Sequence, residues 1–225
     1  MLCRAELEID ARPRLFYRSV GSMPATDNDT HQKILRAALQ RFAHCGYAGT
    51  SVQDIVGAAR VTKPALYYYF ANKAALYQAL VDSAHDERYR LIQAAAARGG
   101  SLEEKLVEIL TALFAFLQDN RELMRLAYTT AFAAPGEMPR EINFLKKSRR
   151  NFEFIRDLIK KEQVAGRLNR HFDCEELAYG IQGMINVYVM SHLVLPDFKL
   201  SRKIAERVVQ LFLNGAVVNN SRKKK

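Results

Sequence analysis

An all-α chain of about nine helices is the fold class this sequence predicts, and three observations carry it. Apolar residues recur at three- and four-residue intervals along most of the chain, with no alternating run to mark a strand. Three pairs have capping-box spacing: Thr50 with Gln53, Ser101 with Glu104, and Asp173 with Glu176. Glycine or proline punctuates the ends of the periodic stretches, at Gly46, Gly99, Gly100, Gly166 and Pro196. With 225 residues, 49% of them hydrophobic, the chain can build a substantial core.

Residues 1–29 are expected to be a disordered or non-native tail, since their apolar residues are scattered among charges and form no signal-peptide core. Two readings stay open there. Arg4, Arg12, Arg14 and Arg18 suit a basic arm along a phosphate backbone, whereas Met23 offers a later start codon.

The first helix carries Ile34, Leu35, Ala38, Leu39 and Phe42 on one stripe and stops at Gly46, before the aromatic Tyr47. Thr50 should cap a second helix beginning at Ser51, with Val52, Ile55 and Val56 on its inner face. Ala58 and Ala59 permit close approach of a neighbour, and Val61 sits in a tight turn. Thr62 then caps a third helix with Pro64 in its first turn, where the missing N–H costs nothing. Leu66 and Phe70, four apart, face inward. That leaves Thr62, Lys63, Ala65, Tyr67 and Tyr68 to face outward: a hydroxyl, a cation and two phenols on a short helix, suited to a major groove.

Two short helices around a tight turn form a helix-turn-helix, and residues 30–76 resemble the N-terminal domain of the TetR family of bacterial transcriptional regulators. Asn72 and Lys73 match the family's usual start of helix four, where a lysine commonly meets a phosphate. The family usually has Gly where Arg60 stands, a small residue where Val56 stands and His where Tyr69 stands. A non-glycine residue at positive φ costs roughly 1 kcal/mol, so these departures bear on the turn's geometry.

Helix four is expected over 73–97, then helices over 102–117, 121–133 and 140–164, one opened by Asp173 and closed by Pro196, and a last one over 201–217. Leu102, Leu106, Ile109, Leu110, Leu113 and Leu117 should lie inside, as should Ile204, Val208, Leu211 and Phe212. The resemblance implies a division into a helix-turn-helix domain over 30–76, a helical effector-binding and dimerisation domain over 77–217, and a basic tail over 218–225.

The net charge of +10 favours a polyanionic partner. Residues 30–75 hold six basic residues, Lys33, Arg36, Arg41, Arg60, Lys63 and Lys73, against the single acid Asp54, so the positive field overlies the motif that would use it. No apolar run reaches the ~18 residues of a membrane span. Cys3, Cys45 and Cys174 are widely separated and lack metal-ligand spacing, which suggests a cytoplasmic protein. A helical cavity with Tyr128, His171 and His192 is the one opening for acid–base chemistry. No paired carboxylates, phosphate loop or nucleophile elbow accompany it, so no enzyme, catalytic residue, metal or cofactor is predicted.

On double-stranded DNA, Thr50, Ser51 and Gln53 at the start of helix two are expected to anchor phosphates, joined by Tyr67 and Lys73. Thr62, Lys63, Ala65 and Tyr68 are expected at base edges, with Pro64 contributing shape. The last two long helices are apolar over wide faces, and the resemblance implies that they pair into a homodimer reading a palindromic operator. It also implies a pocket for a small, lipophilic or aromatic effector among the middle helices. Phe114, Leu117, Met124, Tyr128, Phe132, Phe152, Ile155, Met184 and Tyr188 are the residue types suited to line it. The function expected is thus a repressor released from its operator by that effector. The alternative is a regulator of the same fold answering to a protein partner or to no ligand.

Overall fold

The computed structural model describes residues 25–134, 137–195 and 197–216. Among them are nine α-helices and no strand: α1 Ala25–Cys45, α2 Val52–Ala59, α3 Lys63–Tyr69, α4 Lys73–Ala96, α5 Leu102–Asp119, α6 Arg121–Ala131, α7 Leu145–Val164, α8 Cys174–Val194 and α9 Arg202–Ala216. The predicted fold class is therefore the observed one. The expectations for residues 1–22 and 218–225 lie outside the described residues, as does the stop at Pro196. Helix α1 reaches back to Ala25, inside the stretch expected to be tail.

The chain divides into two compact units, and the division does not fall at residue 76. One unit takes the chain up to Ala84 together with Asn120–Phe144; the other takes His85–Asp119 and the chain from Leu145 onward. In the first, α1 packs on α2, α3 and α6. Ile34, Leu35, Ala38 and Phe42 of α1 are buried, as are Ile55, Val56, Ala59, Leu66 and Phe70 of the helix pair and Leu123, Met124, Leu126 and Ala127 of α6. In the second, α5 packs on α9, α7 and α8, and α8 packs on both α7 and α9. Leu106, Ile109, Leu110 and Leu113 of α5, Ile155 and Ile159 of α7, Ile181 and Ile185 of α8, and Val208 and Phe212 of α9 supply its core.

Helix ends follow local chemistry. Ser101 and Glu104 cap α5 reciprocally, and Asp173 and Glu176 cap α8 in the same way. Helix α7 begins at Leu145, later than periodicity suggested, because residues 137–144 are spent in turns. There the Gln78 amide takes the place of a paired backbone. It donates to the Asn143 carbonyl (3.1 Å) and accepts from the Asn143 N–H (2.8 Å). Leu211, expected inside, is 64% exposed on α9.

The α2–α3 turn shows how the chain manages without its expected glycine. Val61 N–H reaches Val56 O (3.1 Å) and Arg60 N–H reaches Gly57 O (3.3 Å), with Arg60 left-handed at φ 54, ψ 44. This is a Schellman closure. The end of α7 has the same closure, Arg167 N–H to Glu162 O and Gly166 N–H to Gln163 O, with a glycine at φ 73 in the equivalent place. Among the described residues Arg60 is the only non-glycine with positive φ.

In the second unit a charged cluster joins α4 to α7. Asp86 receives Lys147 (2.5 Å) and Arg150 (2.8 Å), and the Arg150 guanidinium lies 4.1 Å over the Tyr89 ring. Together Lys147 and Arg150 hold the Asp86 carboxyl below its ordinary value against the opposing effect of burial. His85, beside it, is buried and passes its carbonyl to Asn151. Burial, reinforced by the Arg88 charge, lowers the His85 pKa to about 4.

Two outcomes follow. Arg60→Gly removes the left-handed penalty, partly offset by a freer unfolded chain, and should stabilise the protein by roughly 0.5–1 kcal/mol in urea unfolding. For His85, the unfolded imidazole takes a proton near its ordinary value while the folded one does so only near 4. The unfolded state therefore binds more protons between those values. The contribution is whole above the ordinary value and drains as pH falls towards 4. Between pH 7.5 and 5.0 wild type should lose about 2 kcal/mol more than His85→Leu, compared by urea unfolding at each pH.

Candidate nucleic-acid interface

The reading head is two helices too short to stand alone, of eight and seven residues. What they bury decides what they present. Ile55, Val56, Ala59, Leu66 and Phe70 turn inward, and Thr62, Lys63, Pro64, Tyr67 and Tyr68 are left exposed, Tyr68 to 72%. Ala65 is half-buried, and its N–H is received by the Thr62 hydroxyl (3.3 Å) that caps α3. The expected outward set of α3 is thus brought together on one face. An aromatic cluster sets the angle of that face: His31 of α1 stacks on Phe70 (5.1 Å) and meets Tyr69 edge-on (5.4 Å), and Tyr69 meets Tyr68 (4.9 Å). His31 was not among the sequence's candidates, because a histidine one turn ahead of an apolar stripe carries no distinctive spacing.

At the start of α2 the structure corrects the expectation by one residue. Ser51, not Thr50, is the cap, paired with Asp54 rather than Gln53. The Ser51 hydroxyl receives Asp54 N–H (3.1 Å), and Asp54 Oδ2 receives Ser51 N–H (2.9 Å). Asp54 stands three residues after Ser51, and an ionised acceptor at the helix's positive end outcompetes a neutral amide. Thr50 is 2% exposed, with its hydroxyl donating to Gly46 O (2.8 Å) and its N–H to Tyr47 O (3.3 Å). Its side chain therefore shapes the loop. Ser51 and Gln53 are exposed.

The half-buried Lys73 is tied to the loop ahead of α2: its ammonium donates to Tyr47 O (2.9 Å) and Thr50 O (2.8 Å) and lies 4.1 Å over the Tyr47 ring. The α1–α2 loop it grips is compact: Gly46 is left-handed at φ 69, and a Cβ on Gly49 would sit 2.3 Å from Cys45 O. Beneath the loop, Tyr77 meets Phe42 (4.9 Å) and Tyr47 (5.3 Å) and shares a buried hydrogen bond with Thr130 of α6 (2.8 Å). Tyr77 carried no motif, and only folding brings it against Tyr47.

The residues expected to line an effector pocket divide between the two units. Met124 is buried, Tyr128 half-buried and Phe132 76% exposed in the first. Phe132 caps the end of α6 with its ring turned out, contrary to an interior role. In the second, Phe114, Leu117 and Ile155 are buried, and Phe152, Met184 and Tyr188 are half-buried. Phe152 pairs with Tyr179 (4.6 Å) and Tyr188 with Phe198 (6.1 Å). Among the described residues no group of His, Cys, Asp and Glu could hold a metal ion, and no helix is long and apolar enough to cross a membrane.

Comparison with known proteins agrees with this geometry. Residues 34–80, from the inner stripe of α1 to the second turn of α4, match the model of the bacterial regulatory proteins of the tetR family. The HTH-type transcriptional regulator YdgC of Bacillus subtilis is 24% identical over 83% of this chain and 92% of its own length. The probable acrEF/envCD operon repressor of Escherichia coli K12 is 25% identical over 82% of this chain and 87% of its own. A TetR-family regulator from Marinobacter aquaeolei shares the fold with a TM-score of 0.71 and 21% identity, over 88% of this chain and all of that one. The helix-turn-helix of residues 34–80 is thus that of the bacterial regulatory proteins of the tetR family, and the chain as a whole is similar in length and helical fold to DNA-binding transcriptional regulators.

Proposed function

We propose that the protein is a homodimeric repressor that reads a palindromic operator through α3 and leaves it when a small lipophilic or aromatic effector binds. The observation that carries this is the exposed face of α3, where a cation and two phenols stand clear of a buried apolar layer. Lys63 donates to guanine, the Ala65 methyl and the Tyr68 ring meet thymine methyls, and Pro64 and Thr62 shape the approach. Tyr67 reaches the phosphate backbone, as do Ser51 and Gln53 from the start of α2. The operator lies on bacterial DNA, so the protein works in the cytoplasm.

Dimerisation is supported by α8. Tyr179, Gly183, Val187, Met190 and Val194 recur at helical intervals, and all are exposed. Gly180 and Gly183 have open space where a side chain would be, which gives a helix from a second copy a flat seat. With the exposed Leu211 of α9, that stripe is an apolar face of the kind paired helices cover. Effector binding is assigned to the second unit, where the buried Phe114, Leu117 and Ile155 and the half-buried Phe152, Met184 and Tyr188 lie on helices that pack together. Repression is supported by the repressor name of the Escherichia coli relative.

Selection from random duplex DNA should return a palindrome with half-sites about one helical turn apart. Tyr68→Ala should relax the sequence preference. Lys63→Ala should also relax it and reduce the salt slope of binding by about one. Sequence-blind binding would overturn the reading. Val187→Glu, which puts a charge in the α8 stripe, should give a monomer by light scattering and weaken operator binding at least tenfold. A broad panel of lipophilic cations, phenols and acyl thioesters should contain a compound that releases the operator, and its absence would favour a regulator without a ligand.

A further inference from the structure

The turn between α2 and α3 needs a residue that accepts a left-handed backbone, and at every other such place among the described residues the chain supplies glycine: Gly46, Gly99, Gly100 and Gly166. Gly166 ends α7 with the same pair of hydrogen bonds that closes α2 at Arg60. A glycine would therefore build this turn without a steric penalty, and Arg60 builds it at φ 54, ψ 44 with one.

Nothing inside the described residues offsets that penalty. Arg60 is exposed, and its guanidinium takes part in no ion pair or hydrogen bond among them. The end of α7 shows what an arginine placed for the fold does at such a closure. There the left-handed position is left to glycine, and Arg167, one residue later, pairs with Glu162. Backbone strain that the rest of the chain does not use marks a place that meets something else.

Residue type and location say what that is. A guanidinium is a permanent cation whose planar fork of N–H donors matches two oxygens of one phosphate. Arg60 lies two residues ahead of Thr62, the cap of α3, and Lys63 follows the cap. Arg60 and Lys63, both exposed, bracket the entry to the helix whose first residues are assigned to base edges. Phosphates line the rim of the groove that such a helix enters, within reach of a long side chain on the turn leading into it.

We propose that Arg60 is a further DNA contact, its guanidinium held on a backbone phosphate beside the major groove, and that the turn carries a strained arginine in place of glycine for that contact. The proposal rests on the DNA-reading role assigned to α3. Stability and binding then oppose each other at this residue: the substitution that relaxes the turn removes the contact.

The test compares full-length wild type with Arg60→Gly, Arg60→Gln and Arg60→Lys on the duplex that wild type selects. Arg60→Gly and Arg60→Gln should each bind about tenfold more weakly, with the salt slope lowered by about one for each protomer bound. Arg60→Gly should do so while unfolding at higher urea than wild type. Arg60→Lys should keep the wild-type slope, and the sequence selected by Arg60→Gly should match that of wild type, because a phosphate carries no sequence. Wild-type affinity and slope in Arg60→Gly and Arg60→Gln would overturn the contact. Weaker binding with an unchanged slope would overturn it in favour of turn geometry, and an altered consensus in favour of a base contact. Should wild type select no operator, the same slopes are measured on an arbitrary duplex. A slope lowered there in Arg60→Gln would sink the sequence-reading role of α3 and keep the phosphate contact, and an unchanged slope would sink the contact as well.

Discussion

Helices of eight and seven residues do not persist in water, because the entropy of nucleating a turn is not recovered over so few hydrogen bonds. The reading head therefore exists only as a surface layer on something buried. Ile55, Val56 and Ala59 of α2 and Leu66 of α3 supply the underside, and α1 offers Ile34, Leu35 and Ala38 to receive it. Each short helix is also closed at both ends. Ser51 with Asp54 and Thr62 close the starts, and the Schellman turn at Arg60 and the Phe70 N–H to Leu66 O close the stops. With every inward group spent on packing or capping, what remains outward on α3 is the set available to a partner. Exposure of Tyr67 and Tyr68 is the consequence, and it would be wasteful in a helix with no such use.

The sequence was legible where local chemistry decides the outcome. Thr62 and Pro64 specify the start of α3 whatever surrounds them, and Gly166 and the Asp173 pair specify their ends of α7 and α8 in the same way. Legibility failed where two local rules competed or where the deciding partner was distant. Thr50 with Gln53 and Ser51 with Asp54 are both capping pairs, and only the advantage of a carboxylate at a helix's positive end chooses between them. Lys73 resembles an outward cation until folding brings two carbonyls from more than twenty residues away within reach. The late start of α7 has the same cause, because Gln78 on α4 binds Asn143 and holds residues ahead of Leu145 in turns.

In the second unit, periodicity located helices but ranked their faces poorly. Leu211 and Phe212 are adjacent on α9, and one is 64% exposed while the other is buried. A wide apolar stripe reads the same whether a second helix of the same chain or of another chain covers its edge. The aromatic and methionine residues chosen as pocket lining met a related difficulty. Side-chain type marks adaptability to a ligand, but Phe114 and Leu117 are fully interior while Phe132 is in solvent. Types alone do not separate core, cavity and surface, since all three use the same residues.

Charge shows most clearly the distance between composition and mechanism. The excess of basic residues over 30–75 points to a polyanion, yet the six are not six contacts. Lys73 is turned into the loop, and Lys33 is paired with Asp29 at 2.6 Å. Arg60 is set at the turn by its left-handed backbone, and only Lys63 lies on α3 itself. A helix with one cation and two exposed phenols gains little from generic attraction to phosphate. On the function proposed above, its discrimination comes from close contact, the Tyr68 ring against thymine methyls and the lone ammonium against an acceptor, and close contact demands a fixed angle of approach.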